Sequence, residues 1–168
     1  MNIISKFTVG SERGVDLLLE LKEVQLKEMY QDLLDANELE IFLENELDRR
    51  TIINELNDLS TQLIIVFQEE KAVGYAILKN SFEQPKILEG QKAIQFSFFV
   101  LHDYHKSEVF QSLWEKCLSV TRNYSHWTEI PENDLLIPTL ESFGFNISEQ
   151  LLLKPFDLPG YVMIRKNY

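Results

Sequence analysis

The stretch that decides the fold is residues 93–118, AIQFSFFVLHDYHKSEVFQSLWEKCL. Its first nine residues are apolar or aromatic apart from Gln95 and Ser97, which is typical of a strand buried in the middle of a sheet. After a polar loop, apolar residues recur three and four positions apart from Val109 to Leu118, as one buried helix face requires. The stretch therefore predicts a central strand, a polar loop and an amphipathic helix.

The rest of the chain supplies further strands and helices on both sides of this unit. The elements predicted before it are a strand at 3–9, a turn at 10–14, a helix at 15–35, a helix at about 38–58 that breaks near 48–50, and a β-hairpin of strands 61–67 and 72–78. Those predicted after it are a strand at 126–130, a short helix at 135–143, and strands at 145–154 and 161–165. With no repeat or linker, the sequence predicts one α/β domain over 1–168.

Composition and charge exclude several classes of function. The 168 residues hold 27 acidic and 16 basic side chains, a formal net charge of −11, and the bases form no patch that nucleic acid would need. The shortage of basic residues also disfavours binding to an anionic membrane surface. No apolar run is long enough to span a bilayer. A single cysteine, Cys117, allows no internal disulfide, so we expect a cytoplasmic protein.

The acidic residues concentrate in one segment, residues 35–48, which contains no base. Its acids are Asp35, Glu38, Glu40, Glu44, Glu46 and Asp48. One interpretation is a solvated helix face that keeps the protein soluble. The other is an acidic rim that attracts a cationic substrate or partner.

Three further motifs make the chain resemble a known superfamily. KAVGYA at 71–76, NDLLIPTLESFGF at 133–145 and VMIRK at 162–166 resemble, in this order, conserved elements of the GNAT N-acetyltransferases. The resemblance implies a mixed, mostly antiparallel sheet of about seven strands, splayed between the fourth and fifth and flanked by helices. It also implies transfer of an acetyl group from acetyl-CoA to an amine of a small molecule or a protein.

The loop after the central strand departs from the family pattern. The family pattern is Y-V-x-P-x-x-R/Q-G-x-G-x-G/A, and its backbone N–H groups hold the coenzyme A pyrophosphate. In this chain, His105 occupies the position of Arg or Gln in the family pattern. Lys106 and Glu108 replace the first two glycines, and Phe110 replaces the last small residue. We expect Glu108 to repel the phosphates and Phe110 to add bulk, whereas His105 and Lys106 offer a donor and a charge.

The resemblance assigns roles to residues at matching positions. The residues it implies for coenzyme binding are Phe98, Phe99 and Val100 through their main chain, then His105, Lys106, Ser107, Glu108, Val109, Phe110 and Asn133. Ile94 and Leu140 occupy the positions where many members carry the general base and the general acid. The substitute candidates are Glu129 as base and Tyr104, with Ser97 also expected near the reacting groups.

Two functional hypotheses remain open from the sequence. One is an acetyltransferase, and the other is a catalytically impaired relative that binds a ligand or partner. A metal site is disfavoured, because His102 and His105 have no third ligand nearby, and Cys117 falls on the apolar stripe of its helix. Apolar residues between Phe143 and Tyr161 also suggest a homodimer.

Overall fold

A computed structural model describes residues 2–80 and 83–167. The strands are β1 Ile3–Thr8, β2 Thr61–Gln68, β3 Lys71–Lys79, β4 Ala93–Val100, β5 Ser125–Pro131, β6 Asn146–Leu153 and β7 Leu158–Arg165. The α-helices are α1 Glu12–Tyr30, α2 Ala36–Glu46, α3 Arg49–Leu56, α4 Ser107–Thr121 and α5 Ile137–Ser142, with 3₁₀ turns at Lys86–Leu88 and His102–Tyr104. This order confirms the predicted α/β class.

The strands described in residues 2–80 and 83–167 form one seven-stranded sheet in the order β1-β2-β3-β4-β5-β7-β6. Pairing is antiparallel for β1 with β2, β5 with β7 and β6 with β7, and parallel for β4 with β5. The parallel register joins Ala93–Gln95 to Ser125–Trp127, and both strands continue beyond it. The mixed, mostly antiparallel sheet is therefore confirmed.

The chain divides into two compact units, residues 1–77 with 98–116, and residues 78–97 with 117–168. In the first unit, α1 and α3 pack against β2 and β3 through an apolar cluster. Its fully buried members include Val15, Leu18 and Ile65. The division leaves the single-domain interpretation a prediction.

The first helix begins earlier than the sequence indicated. Residues 10–14 were expected to form a turn, but α1 starts at Glu12 because Ser11 caps it, its side chain accepting the Gly14 N–H at 3.2 Å. Gly14 lies inside the first helical turn, where an added Cβ would come within 2.4 Å of the Val9 carbonyl oxygen. Glycine is needed at that position for close approach rather than for a turn.

The acidic segment uses two of its acids as helix caps. Asp35 accepts the Glu38 N–H at 2.8 Å, and Asp48 accepts the Thr51 N–H at 3.1 Å. These hydrogen bonds lower the pKa of both carboxyl groups. The Asp48 cap separates α2 from α3, which confirms the predicted break near 48–50.

The second unit is built around β5 and β7. Trp127, Val162 and Ile164 pack against Leu88 in one cluster, while the ring of Phe145 stacks on Phe96 at 5.9 Å.

The apolar residues proposed for a dimer divide between core and surface, because Phe145 is 1% exposed and Leu152 is 57% exposed. The dimer stays a prediction. None of the helices in the described residues has the length and apolar character needed to cross a membrane.

Candidate functional site

The end of β4 turns alternate main-chain groups to opposite sides. Leu101 N–H donates to the Val73 carbonyl on β3 at 2.8 Å, and at the other end of the strand Ser125 N–H donates to the Lys92 carbonyl at 2.9 Å. The main-chain N–H and C=O groups of successive strand residues point to opposite neighbouring strands. Both bonds agree that the odd-numbered residues of β4 point toward β3 and the even-numbered residues point the other way. The N–H and C=O groups of Phe98 and Val100 therefore point away from β3.

The loop that follows β4 uses its own amides internally. Tyr104 N–H donates to Leu101 O at 2.8 Å, His105 N–H to His102 O at 3.2 Å, and Lys106 N–H to Tyr104 O at 2.8 Å. A glycine-rich loop would present such amides to an anion. Here these three amides are committed to a compact turn. The first turn of α4 follows directly and has amides of its own.

That first turn starts with exposed polar side chains. Lys106 lies at the cap, since its carbonyl accepts the N–H groups of Val109 at 3.0 Å and Phe110 at 3.2 Å. Ser107 and Glu108 supply the next two N–H groups, for which no earlier helical carbonyl is in reach. The side chains of Lys106, Ser107 and Glu108 are all exposed. An anion at this end of α4 would meet two amides, a hydroxyl, one positive and one negative charge.

The side chain of Phe110 faces the interior instead of the loop surface. Phe110 is 7% exposed and Val109 is fully buried. The Phe110 ring meets Phe98 edge-on with centroids 6.2 Å apart. Thus the bulk expected at position 110 packs against Phe98 of β4, and on the side of the loop the Phe110 ring lies 5.3 Å from the ring of His105.

His105 folds back onto β4. Its Nε2 lies 2.8 Å from the Val100 carbonyl oxygen, one of the groups turned away from β3. Because a carbonyl can only accept, Nε2 is the donor. The imidazole also lies 5.3 Å from the ring of His102. The structure thus brings His105, Phe110, Phe98 and Val100 together.

Tyr104 lies on the 3₁₀ turn after β4 and is half-buried. The Lys71 ammonium sits over its ring, 5.2 Å from the centroid, as a cation–π contact. The structure shows this packing role for Tyr104, and its proposed part in catalysis stays a prediction.

Glu129 projects from β5 as an exposed residue among buried neighbours. Partial burial raises the pKa of its carboxyl group, and the negative charges of Glu83 and Glu149 raise it further. Trp127 and Glu129 share a face of β5, and the register places Gln95 beside Trp127. Ser97, two residues after Gln95 and also exposed, therefore lies on this same face.

Two of the remaining positions from the family comparison are buried and one is exposed. Ile94 is 8% exposed and Leu140 is fully buried, so both are core residues. Asn133 is exposed in the turn between β5 and α5.

Among residues 2–80 and 83–167, no cluster of three metal-binding side chains occurs, and burial raises the pKa of Cys117 well above the ordinary thiol value.

Solved structures with this arrangement cover nearly the whole chain. The PaiA N-acetyltransferase of Thermoplasma acidophilum, in complex with coenzyme A, matches with a TM-score of 0.72 and 13% identity over 99% of both chains. The chain has the GNAT fold. An acetyltransferase of the GNAT family from Streptococcus pneumoniae matches at 0.65 and 14% over 98% of both chains.

The chain is also similar in structure to an aminoglycoside N(6′)-acetyltransferase from Legionella pneumophila. That protein matches at 0.65 and 17%, over 98% of this chain and 93% of its own. No protein-family model and no curated protein sequence matches the chain. The similarity is therefore one of structure, at sequence identities where motifs have largely diverged.

Two features of the site could not be found from the sequence. The bond from His105 to Val100 depends on how tightly the loop turns, for which the sequence holds no signal. The effect of the Glu83 and Glu149 charges on the pKa of Glu129 arises because the fold brings these distant positions of the chain near one another. The two polar residues Gln95 and Ser97, two positions apart in an otherwise apolar strand, were the available signal for that face.

Proposed function

We propose that this protein is a cytoplasmic N-acetyltransferase that transfers an acetyl group from acetyl-CoA to an amine of a small molecule or a protein. The observation that carries the proposal is the GNAT fold over the full chain, matched at a TM-score of 0.72 by a structure holding coenzyme A. The neighbour named for aminoglycosides shows that this fold can serve small-molecule amines.

In this proposal the end of β4 and the start of α4 hold the coenzyme. Main-chain groups of Phe98 and Val100 face away from β3, toward the side on which the amides of the thiol arm would pair with the strand. The Ser107 and Glu108 amides and the Lys106 ammonium meet the diphosphate at the positive end of α4. Asn133, in the turn after β5, is a further candidate for contact with the coenzyme.

Glu129 is the proposed general base. The amine must lose a proton as its nitrogen attacks the thioester carbonyl, after which the carbon–sulfur bond breaks and the thiolate of coenzyme A leaves. A carboxylate with a raised pKa is a better proton acceptor near neutral pH. No tyrosine stands at Leu140 to protonate the leaving group, but a thiol with a pKa of about 8.5 needs little acid assistance.

Two measurements test this function. One is calorimetric titration with coenzyme A, and the other is a thiol-release assay with acetyl-CoA and a panel of amines. We expect micromolar-range binding and amine-dependent thiol release. Glu129→Gln should lower kcat by about 10²- to 10⁴-fold while leaving coenzyme affinity unchanged, with Glu132→Gln as a matched exposed control. Binding without any turnover would refute transfer, and unchanged kcat in Glu129→Gln would place the base elsewhere.

A further inference from the structure

We propose that His105 occupies a main-chain acceptor on β4 that the thiol arm of acyl-CoA needs, so that its imidazole must leave Val100 before the coenzyme binds. The proposal rests on the proposed function, since it concerns access to the same site. It makes His105 a residue that sets coenzyme affinity, and not merely a substitute for the family's Arg or Gln.

The first step of the argument is the identity of the acceptor. Val100 O belongs to the set of β4 groups that point away from β3, as the bond from Leu101 to Val73 requires. These are the groups through which a ligand can extend the pairing of a strand. The His105 Nε2 donor, 2.8 Å from that oxygen, takes the place that an amide N–H of an extended ligand would take.

The second step is that the imidazole is held in this position from two sides. The Phe110 ring lies 5.3 Å from it and is itself fixed against Phe98, and the His102 ring lies at 5.3 Å as well. A carbonyl accepts from the neutral Nε2–H tautomer and from the imidazolium alike. Either form of the ring can therefore make the contact between His105 Nε2 and Val100 O, which we call the latch.

The third step gives the size of the effect. A coenzyme that displaces the imidazole replaces one hydrogen bond with another and gains nothing from that exchange. Since one such bond contributes modestly to stability, removing the imidazole should tighten coenzyme binding about two- to tenfold. The gain belongs to binding, so KM for acetyl-CoA should fall.

The test compares the full chain with His105→Ala and His102→Ala by calorimetric titration with free coenzyme A. His102 is the matched control, because it is exposed and its ring contacts the ring of His105 without bonding to β4. We expect clearly tighter binding for His105→Ala and at most a slight gain for His102→Ala, which removes a supporting ring but leaves the bond to Val100 in place. Equal or weaker binding by His105→Ala would overturn the latch and leave the proposed function standing, whereas failure of all three proteins to bind would overturn both.

A second measurement uses the unmodified chain, so that it does not depend on how the variants fold. In ¹⁵N-histidine NMR spectra, the His105 Nε2–H should exchange slowly with solvent before coenzyme A is added and rapidly at saturation. His126, which is fully buried, serves as the internal reference. Protection of His105 that persists at saturating coenzyme would show that the imidazole stays on Val100, and would refute the latch.

Discussion

Acidification should unfold this protein partly through one histidine. His126 on β5 is fully buried, and its Nε2 lies 2.7 Å from the Thr121 hydroxyl oxygen. That hydroxyl donates to the Cys117 carbonyl at 2.7 Å, so Nε2 must carry the proton that joins it to Thr121. Burial, and after it the Arg165 charge, lowers the pKa of His126 to about 4.

The direction of the pH effect follows from linkage. An unfolded histidine has a pKa near 6.5, so between about 4 and 6.5 the unfolded chain binds the extra proton. The stability due to neutral His126 is therefore complete above pH 6.5 and is lost as the pH falls toward 4. The difference of 6.5 − 4 pKa units corresponds to roughly 3 kcal/mol, of which about 2 kcal/mol is lost by pH 5.

Urea unfolding of the wild type, His126→Gln and His102→Gln at several pH values between 7.5 and about 4.5 measures this loss. Carboxyl groups titrate in all three proteins, so the difference between wild type and His126→Gln isolates the histidine. We expect the stability advantage of the wild type to shrink by about 2 kcal/mol between pH 7.5 and pH 5, with His102→Gln following the wild type. An advantage that does not change with pH would show that His126 is not held neutral by burial.

Three further predictions concern the site and its surroundings. Gly74→Ala should lower the free energy of unfolding by about 1–3 kcal/mol, measured by urea titration, because its Cβ would come within 2.6 Å of the Phe99 carbonyl oxygen; full stability would mean that β3 and β4 can separate there. Glu108→Gln should tighten coenzyme A binding about fivefold at constant ionic strength, because removing one exposed charge near a phosphate is worth about 1 kcal/mol; unchanged affinity would place the carboxylate away from the phosphates. If the acids of 35–48 rim the acceptor side, polyamines should be acetylated faster than amino acids in a salt-dependent manner, and equal rates would refute this.

The sequence predicted the elements well where periodicity was strong. The nine-residue apolar run and the stripe from Val109 placed β4 and α4 correctly, and the hairpin of β2 and β3 was recognised from its polar turn. The sequence pattern does not predict the start of α1, because the glycines at 10 and 14 favour a turn. Ser11 was the signal that could have corrected it, since a serine cap three residues before Gly14 favours a helix start.

The site was only partly predictable for a physical reason. A resemblance can align His105 with a phosphate-binding residue, but it cannot say where the side chain points. That orientation is decided by the turn hydrogen bonds of residues 101–106 and by the ring of Phe110. Likewise, the raised pKa of Glu129 depends on charges from Glu83 and Glu149, which lie 46 and 20 residues away in the chain and are neighbours only in the fold.

The replaced glycines have unequal consequences for binding an anion. The side chain of Phe110 is buried in the core. The amides of residues 104–106 form the hydrogen bonds of the turn, so these amides are not presented to an anion. Attraction for a diphosphate then rests on two amides at the start of α4 and on the exposed Lys106 charge, opposed by exposed Glu108. Interactions between exposed charges weaken with salt much more than hydrogen bonds from buried amides do. Coenzyme affinity in this chain should accordingly depend on ionic strength more steeply than in a GNAT protein whose loop keeps its glycines, and Lys106→Gln should remove most of that excess dependence.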